Sequence, residues 1–281
     1  MTTGNVQAEL ITTFAPRMRA VAFDVDGTLT DADHRVSPGN LAALQRLDAA
    51  GLPIIVVTGR ALQSASATLL DAGLHGYVAA CNGALIVDLA TEEHVRTQPL
   101  DHATTRAFTE YVDSVGLTWA AFGANSMIMN DAGPDGVYRD FMVASNVGID
   151  QRMGTLADLS LDEVLKVMVA GTPAELEAAW PGLKDVAPHV ERSLEHWAEV
   201  CHPEANKWAA LQIILERLGV DAADVAGAGD GGNDVSWLSQ IGLSAAMANA
   251  RPELKAVADV EIGHHLEDAA ADFVDALLAA R

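Results

Sequence analysis

The sequence predicts an α/β protein with a Rossmann-like, doubly wound parallel sheet as its core and a second α/β layer inserted into that core. Strand-like and helix-like patterns alternate over residues 19–83, and the alternation resumes at Lys207. Such alternation is typical of parallel strands joined by right-handed helical crossovers. We therefore predict a core domain of residues 17–83 and 202–281 and an inserted α/β cap domain of residues 84–201.

The first part of the core alternates strand and helix in strict order. Ser37 and Pro38 are typical of a helix start, and Gly51 is typical of its end. Ligands of open parallel sheets bind beyond the carboxyl ends of the strands, so residues that follow each strand are candidate site residues. The predicted elements are the strand 20–25, the helix 38–50, the strand 52–58, a helix ending at residue 73 and the strand 77–81.

The pattern changes after Asn82 and Gly83, where a separate layer of about 110 residues begins, close to a typical domain size. An insertion between two halves of one sheet is expected to act as a lid over the active edge of that sheet. The predicted elements are a hairpin of 84–89 and 94–97, a helix 101–115, strands 118–122 and 127–130, a helix near 135–146, a strand 164–170, a helix 173–180 and a strand pair within 189–201.

An apolar run ends in two carboxylates, Asp24 and Asp26, and then in Gly27. Two close carboxylates repel each other unless a cation or a shared proton relieves them. The alternative is an acidic surface turn, because Asp-Gly is a common turn pair. The pair is therefore a candidate catalytic or metal-binding site.

A second glycine-rich turn, at residues 226–234, also follows a strand-like run and precedes a helical pattern. Its Asp230 is predicted to lie at the end of a strand, where it would meet Asp24 and Asp26 around one hard cation. Ligands that are all oxygen atoms favour magnesium over zinc.

Thr58 ends the apolar strand 52–58 and Gly59 follows it, so a hydroxyl and an amide can bind phosphate oxygens there. The alternative is an ordinary strand-to-helix junction with Thr58 as a helix cap. Lys207, one of four lysines, opens a predicted helix. A cation at a helix N-terminus opposes the macrodipole, so this position favours a compensating anion such as phosphate. The alternative is a solvated surface lysine.

Together these segments resemble the haloacid dehalogenase superfamily of phosphohydrolases, and they are most similar to its Cof-type branch, which carries a large inserted cap. The resemblance spans roughly residues 19–260. The loop 261–268 departs because it lacks a Gly-Val pair, and the first sixteen residues have no counterpart in the family core. The matching motifs are Asp24–Leu29, Thr58–Arg60, Lys207 and Gly229–Asp234, with the subsidiary signatures Asn82–Ala84 and Ala246–Ala250.

This resemblance implies a Mg²⁺-dependent phosphomonoester hydrolase that acts on a small phosphorylated metabolite such as a sugar phosphate. Asp24 would be the nucleophile and form an aspartyl-phosphate, while Asp26 would be the general acid and base. Asp24, the main-chain carbonyl of Asp26 and Asp230 would hold Mg²⁺, and Asp234 would orient Lys207 or a water on the metal.

The resemblance also implies which residues bind the substrate. Two alternatives stay open: a phosphosugar mutase of the same superfamily, and a non-catalytic binding or regulatory protein that kept the fold. The implied phosphate-binding residues are Thr58, Gly59, Lys207 and Asn233, and the candidate substrate contacts are Arg60, Asn82 and Gly83.

Composition limits the partners. A formal net charge of −22 argues against binding to nucleic acid and to anionic membranes. Two cysteines, Cys81 and Cys201, predict no disulfide framework and are expected to be small buried hydrophobes. No apolar run approaches the length of a membrane span, so a cytoplasmic protein is expected. The first sixteen residues are expected to be a frayed extension, and a monomer or a small homo-oligomer is the default.

Overall fold

The computed structural model describes residues 3–130, 138, 140, 149–158 and 160–281, and the chain divides into two compact units. The first unit comprises Met1–Gly59, Ala65–Val95 and Asn206–Arg281. The second unit comprises Arg60–Ser64 and Arg96–Ala205.

Strands and helices alternate along much of the described chain. The helices are α1 (Thr3–Phe14), α2 (Pro38–Ala49), α3 (Leu62–Leu70), α4 (His102–Ser114), α5 (Pro173–Val186), α6 (Lys207–Leu218), α7 (Val235–Leu238), α8 (Pro252–Lys255) and α9 (Ala269–Ala279). The strands are β1 (Ala20–Phe23), β2 (Ile54–Val57), β3 (Tyr77–Ala80), β4 (Leu85–Asp88), β5 (Glu93–Thr97), β6 (Thr118–Phe122), β7 (Ser126–Met129), β8 (Asp150–Met153), β9 (Lys166–Ala170), β10 (Glu191–Leu194), β11 (Trp197–Cys201), β12 (Val225–Gly229), β13 (Leu243–Ala246) and β14 (Val260–Glu261).

Within the described residues, the first unit is built on an eight-stranded sheet in the order β14-β13-β12-β1-β2-β3-β4-β5. The strands from β14 to β3 are parallel, and β1 lies between β12 and β2. Strand β1 is fully buried, which explains why it reads as a continuous apolar run. The predicted α/β class with a parallel sheet core is confirmed.

The N-terminus of α6 is positioned by an N-cap and by close packing against a glycine. The side chain of Asn206 accepts a hydrogen bond from the amide of Ala209 and so caps this helix. Gly83 has a φ of 94°, and a Cβ there would come within 2.7 Å of the carbonyl oxygen of Asn206. The turn after β3 therefore packs directly on the first turn of α6.

The prediction that the first sixteen residues form a frayed extension is wrong. Thr3–Phe14 form helix α1, which contacts β13, β14 and α9. Phe14 is 4% exposed and Ala15 is fully buried. The helix persists because its last turn supplies apolar surface to the end of the sheet where β14 is the edge strand.

The predicted hairpin at the start of the insertion lies in the first unit. Strand β4 pairs antiparallel with β3, with Val78 opposite Val87, and so it extends the first sheet. The first unit thus runs through Val95, whereas the sequence prediction placed the domain boundary after Gly83. The predicted helix near 135–146 lies outside the described residues.

The second unit is a separate α/β layer. Within its described residues, six strands pair in the order β10-β11-β9-β6-β7-β8. One core cluster includes Trp119 and Val169 of the sheet with Phe108 of α4 and Leu176 of α5. Helix α5 runs beyond its predicted end at residue 180 and contains Pro181, because the buried Leu183 holds its last turn in the core.

Two other predictions concern buried or apolar groups. Cys81 and Cys201 are buried, as predicted, and no disulfide joins them. Among the described residues, no helix combines the length and the apolar character needed to cross a membrane.

The role of α1 can be tested by truncating its buried aromatic side chain. Phe14→Ala is expected to lower the free energy of unfolding by about 3 kcal/mol or more, because a buried phenyl group leaves a cavity. Urea denaturation measures this change. Leu10→Ala is the matched control on the same helix, where the side chain is 39% exposed and the expected change is within about 0.5 kcal/mol. Equal effects of the two substitutions would contradict the packing of α1.

Candidate active site

Three carboxylates converge at the carboxyl edge of the first sheet. Asp24 follows β1 and Asp230 follows the neighbouring strand β12, while Asp234 lies in the turn that precedes α7. One oxygen from each carboxylate lies within 4.8 Å of the others. Asp24 and Asp234 are buried and Asp230 is half-buried. The sheet thus brings together acids that are about two hundred positions apart in sequence.

Lys207 lies at the centre of these acids. Its Nζ donates to Oδ1 of Asp24 and to Oδ1 of Asp234, each at 2.6 Å. The side chain is 2% exposed, which excludes the alternative of a solvated surface lysine. Helix α6 therefore delivers a buried cation between two buried carboxylates.

Asp234 is held firmly by donors on both of its oxygens. Oδ1 accepts from Nε1 of Trp237 at 2.8 Å as well as from Lys207. Oδ2 accepts from the amides of Asp230 and Gly231 at 3.2 and 2.9 Å. This carboxylate is suited to orienting Lys207 and the turn that carries Asp230, and sequence reasoning did not anticipate the contribution of Trp237.

Asp230 lies against the turn that follows Asp24. Gly27 has a φ of +71°, and a Cβ on this residue would overlap the Asp230 carboxylate. Nδ2 of Asn249 donates to Oδ2 of Asp230 at 3.1 Å and to the carbonyl of Gly27 at 2.8 Å. Asn249 belongs to a signature that the sequence shows, yet sequence reasoning gave it no role.

Electrostatics at this edge favour a bound cation. Burial, together with the charge of Asp234, raises the pKa of Asp24 well above its usual range. The same two causes raise the pKa of Asp230 to about 6. Burial alone would lower the pKa of Lys207, but attraction by Asp234 and Asp24 outweighs burial and raises it, so the ammonium stays charged.

The donor set fits Mg²⁺. Three carboxylates outnumber the single ammonium among them, and every candidate ligand atom on Asp24, Asp230 and Asp234 is an oxygen. Hard divalent cations prefer such oxygen ligands. No other group of three His, Cys, Asp or Glu side chains comes together in this way within the described ranges.

The other predicted phosphate-binding residues, besides Lys207, lie in the segments that follow β2 and β12. Thr58 is buried directly after β2, and its carbonyl accepts from the amide of Asn82 at 2.9 Å. Oδ1 of Asn82 accepts from Nδ2 of Asn233 at 3.2 Å. Gly59 follows Thr58 and is half-buried, whereas Arg60 belongs to the second unit and donates to Ser64 at 3.4 Å.

Backbone conformation sets the position of Asn82. Cys81 and Asn82 both adopt left-handed conformations, with φ values of 49° and 54°, and Gly83 follows with a φ of 94°. Such conformations are uncommon for residues with a Cβ and persist where surrounding contacts stabilise them. Here the contacts are the packing of Gly83 on α6 and the hydrogen bond to Asn233.

Asp26 differs from the other predicted acids. Its side chain is 50% exposed, and its Oδ1 lies 3.7 Å from Nδ1 of His34. It is not one of the three grouped carboxylates. An accessible carboxylate two residues from Asp24 is suited to exchanging protons with a bound substrate and with water.

The chain is similar to known proteins along most of its length. The sequence model of the haloacid dehalogenase-like hydrolase family matches residues 21–274. A phosphoglycolate phosphatase of Methanothermobacter thermautotrophicus is 30% identical over 242 residues, which cover 86% of this chain and 90% of that protein. An HMP-PP phosphatase of Serratia proteamaculans is 29% identical over 262 residues, which cover 91% of this chain and 94% of that protein.

A solved structure shares this fold. The crystal structure of a haloacid dehalogenase-like hydrolase from Bacteroides thetaiotaomicron superposes with a TM-score of 0.83 at 22% sequence identity. The match covers 92% of this chain and 98% of that one. At this identity, the likeness shows the fold alone.

The raised pKa of Asp230 predicts the effect of removing its charge from the metal-free protein. The folded protein binds a proton at Asp230 more tightly than the unfolded chain, so the free energy of unfolding falls as pH rises from about 4 to about 6. Above that range, Asp230→Asn is expected to raise the free energy of unfolding by about 2 kcal/mol, and below it the two proteins converge. Urea denaturation in a chelator, across this pH range, measures the difference.

Asp71→Asn, at an exposed position, is the matched control and is expected to change the free energy of unfolding by no more than about 0.5 kcal/mol. A variant at Asp230 that is no more stable than the wild type near neutral pH would contradict the charge repulsion inferred for the site.

Proposed function

The chain belongs to the haloacid dehalogenase-like hydrolases, and we propose that it is a Mg²⁺-dependent phosphatase that hydrolyses a small phosphomonoester through an aspartyl-phosphate on Asp24. The observation that carries this proposal is the position of Asp24, which is buried, grouped with Asp230 and Asp234, and in contact with the ammonium of Lys207. This arrangement suits a carboxylate that meets a phosphate beside positive charge.

In the proposed site, Asp24, the main-chain carbonyl of Asp26 and Asp230 hold Mg²⁺. When bound, the metal supplies positive charge that offsets the repulsion between the carboxylates and the incoming phosphate. Asp234 keeps Lys207 and the Asp230 turn in place through the hydrogen bonds described above.

The reaction proceeds in two steps on the side chains of this chain. A carboxylate oxygen of Asp24 forms a bond to phosphorus while the ester P–O bond breaks, and Asp26 donates its proton to the leaving oxygen. Water then attacks the phosphorus of the aspartyl-phosphate while the bond between phosphorus and the Asp24 oxygen breaks. Asp26 accepts a proton from that water, and inorganic phosphate leaves. Asp24 and Asp26 return to their starting states.

The phosphate oxygens are proposed to bind the ammonium of Lys207, the hydroxyl of Thr58, the amide of Gly59 and the side chain of Asn233. Asn82 supports this arrangement, since its contact with Asn233 fixes the direction of that amide. Arg60, Asn82 and Gly83 are proposed as contacts for the rest of the substrate.

The substrate is proposed to be a small phosphorylated metabolite such as a sugar phosphate. The two relatives described above are named as phosphatases of phosphoglycolate and of HMP-PP. A formal net charge of −22 disfavours a large polyanion, because long-range repulsion opposes its approach. A small ester needs only the local positive charge of the site.

A panel of sugar phosphates and other small phosphomonoesters tests the reaction class. The expected result is release of inorganic phosphate from at least one compound with Mg²⁺ and none above background with a chelator. Conversion of a sugar phosphate into its isomer without phosphate release would instead establish a phosphosugar mutase. A protein that is inactive on every compound while binding phosphate esters would support a non-catalytic role.

Asp24→Asn tests the nucleophile. The expected loss of turnover is about 10³-fold or more, equivalent to roughly 4 kcal/mol of transition-state stabilisation. The fold is expected to survive, because the substitution removes one of several mutually repelling buried charges. Steady-state phosphate release and urea denaturation measure the two effects.

Asp33→Asn is the control for this substitution, since Asp33 lies in the same segment but is exposed. It is expected to keep full turnover. Near-normal activity of Asp24→Asn would refute the role of Asp24.

A further inference from the structure

We propose that Asn249 is a positioning residue of the metal site, which holds Asp230 and the turn at Gly27 in the arrangement that a divalent cation needs. The inference rests on the proposed function for the identity of that cation. Asn249 lies outside the carboxylate group and acts through Asp230 and through the main chain next to Asp26.

Both polar atoms of the Asn249 side chain form hydrogen bonds. Nδ2 donates to the carbonyl of Gly27 at 2.8 Å and to Oδ2 of Asp230 at 3.1 Å, and Oδ1 accepts from the amide of His265 at 3.2 Å. Two acceptors face one end of the side-chain amide and a donor faces the other. Its orientation is therefore determined by its partners.

Asn249 joins segments that are distant in sequence. Gly27 is 222 positions away, in the turn that follows the nucleophile strand. His265 lies in a third segment, and its ring Nδ1 contacts the carbonyl of Thr30 at 2.6 Å, so it returns to the same turn. The network closes a loop from the turn through Asn249 and His265 back to Thr30.

The backbone that carries Asn249 is itself fixed to the end of β12. The amide of Met247 donates to the carbonyl of Gly229 at 3.1 Å, and the amide of Arg251 donates to the carbonyl of Asp230 at 3.0 Å. Nζ of Lys255 donates to the carbonyl of Ala248 at 2.7 Å. Hydrogen bonds thus anchor the chain on both sides of Asn249, so its side-chain amide is positioned against Asp230.

Nδ2 of Asn249 lies between two acceptors at the proposed metal site, the carbonyl of Gly27 and the carboxylate of Asp230. Without Nδ2, the Asp230 carboxylate and the carbonyl of Gly27 would face each other as two acceptors with no shared donor, and they would repel. Gly27 directly follows Asp26, whose carbonyl is a proposed ligand, so a shift of this turn would displace that ligand together with Asp230. Residues that orient metal ligands typically contribute 10- to 100-fold to metal affinity.

A purely structural role would look different. An amide that only ties loops together would affect the stability of the fold and leave metal affinity unchanged. The chain offers a matched control in Asn130, whose Nδ2 donates to a carboxylate oxygen of Asp113 and to the carbonyl of Leu117, and whose Oδ1 accepts from the amide of Trp119. Asn130 makes the same three kinds of contact within the second unit.

Calorimetric titration with MgCl₂ tests the proposal on the wild type, Asn249→Ala and Asn130→Ala. Asn249→Ala is expected to raise the Kd for Mg²⁺ by roughly 10- to 100-fold, while Asn130→Ala keeps the wild-type Kd and lowers only the thermal midpoint. Asn249→Ser, which retains one donor, is expected to give an intermediate Kd, and it serves as the test if the alanine variant does not fold.

A Kd for the Asn249 variants within twofold of the wild type would overturn the proposal, as would an equal weakening in Asn130→Ala. Failure of the wild type to bind Mg²⁺ would also overturn it. If the wild type binds Mg²⁺ and the variants bind it more weakly, but no phosphomonoester is hydrolysed, the proposed function falls and the role of Asn249 stands.

Discussion

The buried ammonium of Lys207 between the carboxylates of Asp24 and Asp234 is the interaction on which the site depends. Both contacts are 2.6 Å long, and all three side chains are almost fully buried. Removing such charges from water costs several kcal/mol per ion, and only close pairing and further hydrogen bonds offset that cost. Asp234 has those further bonds, from Trp237 and two backbone amides. Asp24 is left as the buried carboxylate that can take part in chemistry.

The fold gives this arrangement through neighbouring elements of one sheet. Strands β12 and β1 are adjacent and parallel, so Asp230 and Asp24 emerge at the same edge. Helix α6 starts at that edge because its first turn packs on the left-handed turn after β3. Three carboxylates surround one ammonium, and this excess of negative charge, together with burial, raises the pKa values of Asp24 and Asp230. A bound divalent cation would neutralise the excess negative charge.

The convergence of Asp24 and Asp230 could be predicted because strand ends in a parallel sheet share one edge and the flanking patterns show where those ends are. The role of Asn249 could not be predicted, since its contact with Gly27 depends on how two distant loops pack. The pairing of the hairpin 84–97 with the first sheet could not be predicted either, because the local sequence pattern does not specify β3 as a partner. Helix α1 was missed for a related reason: its stability comes from burial of Phe14 against the sheet, which no local pattern reports.

In the proposed reaction, Asp24 receives a phosphoryl group beside a cation held by Asp24 and Asp230. A crystal structure determined with MgCl₂ and beryllium fluoride, a mimic of a phosphoryl group on a carboxylate, tests this reaction without knowledge of the substrate. We expect beryllium bonded to a carboxylate oxygen of Asp24, with Mg²⁺ between Asp24 and Asp230. Beryllium fluoride bound elsewhere, or Mg²⁺ absent from these acids at saturating concentration, would contradict it.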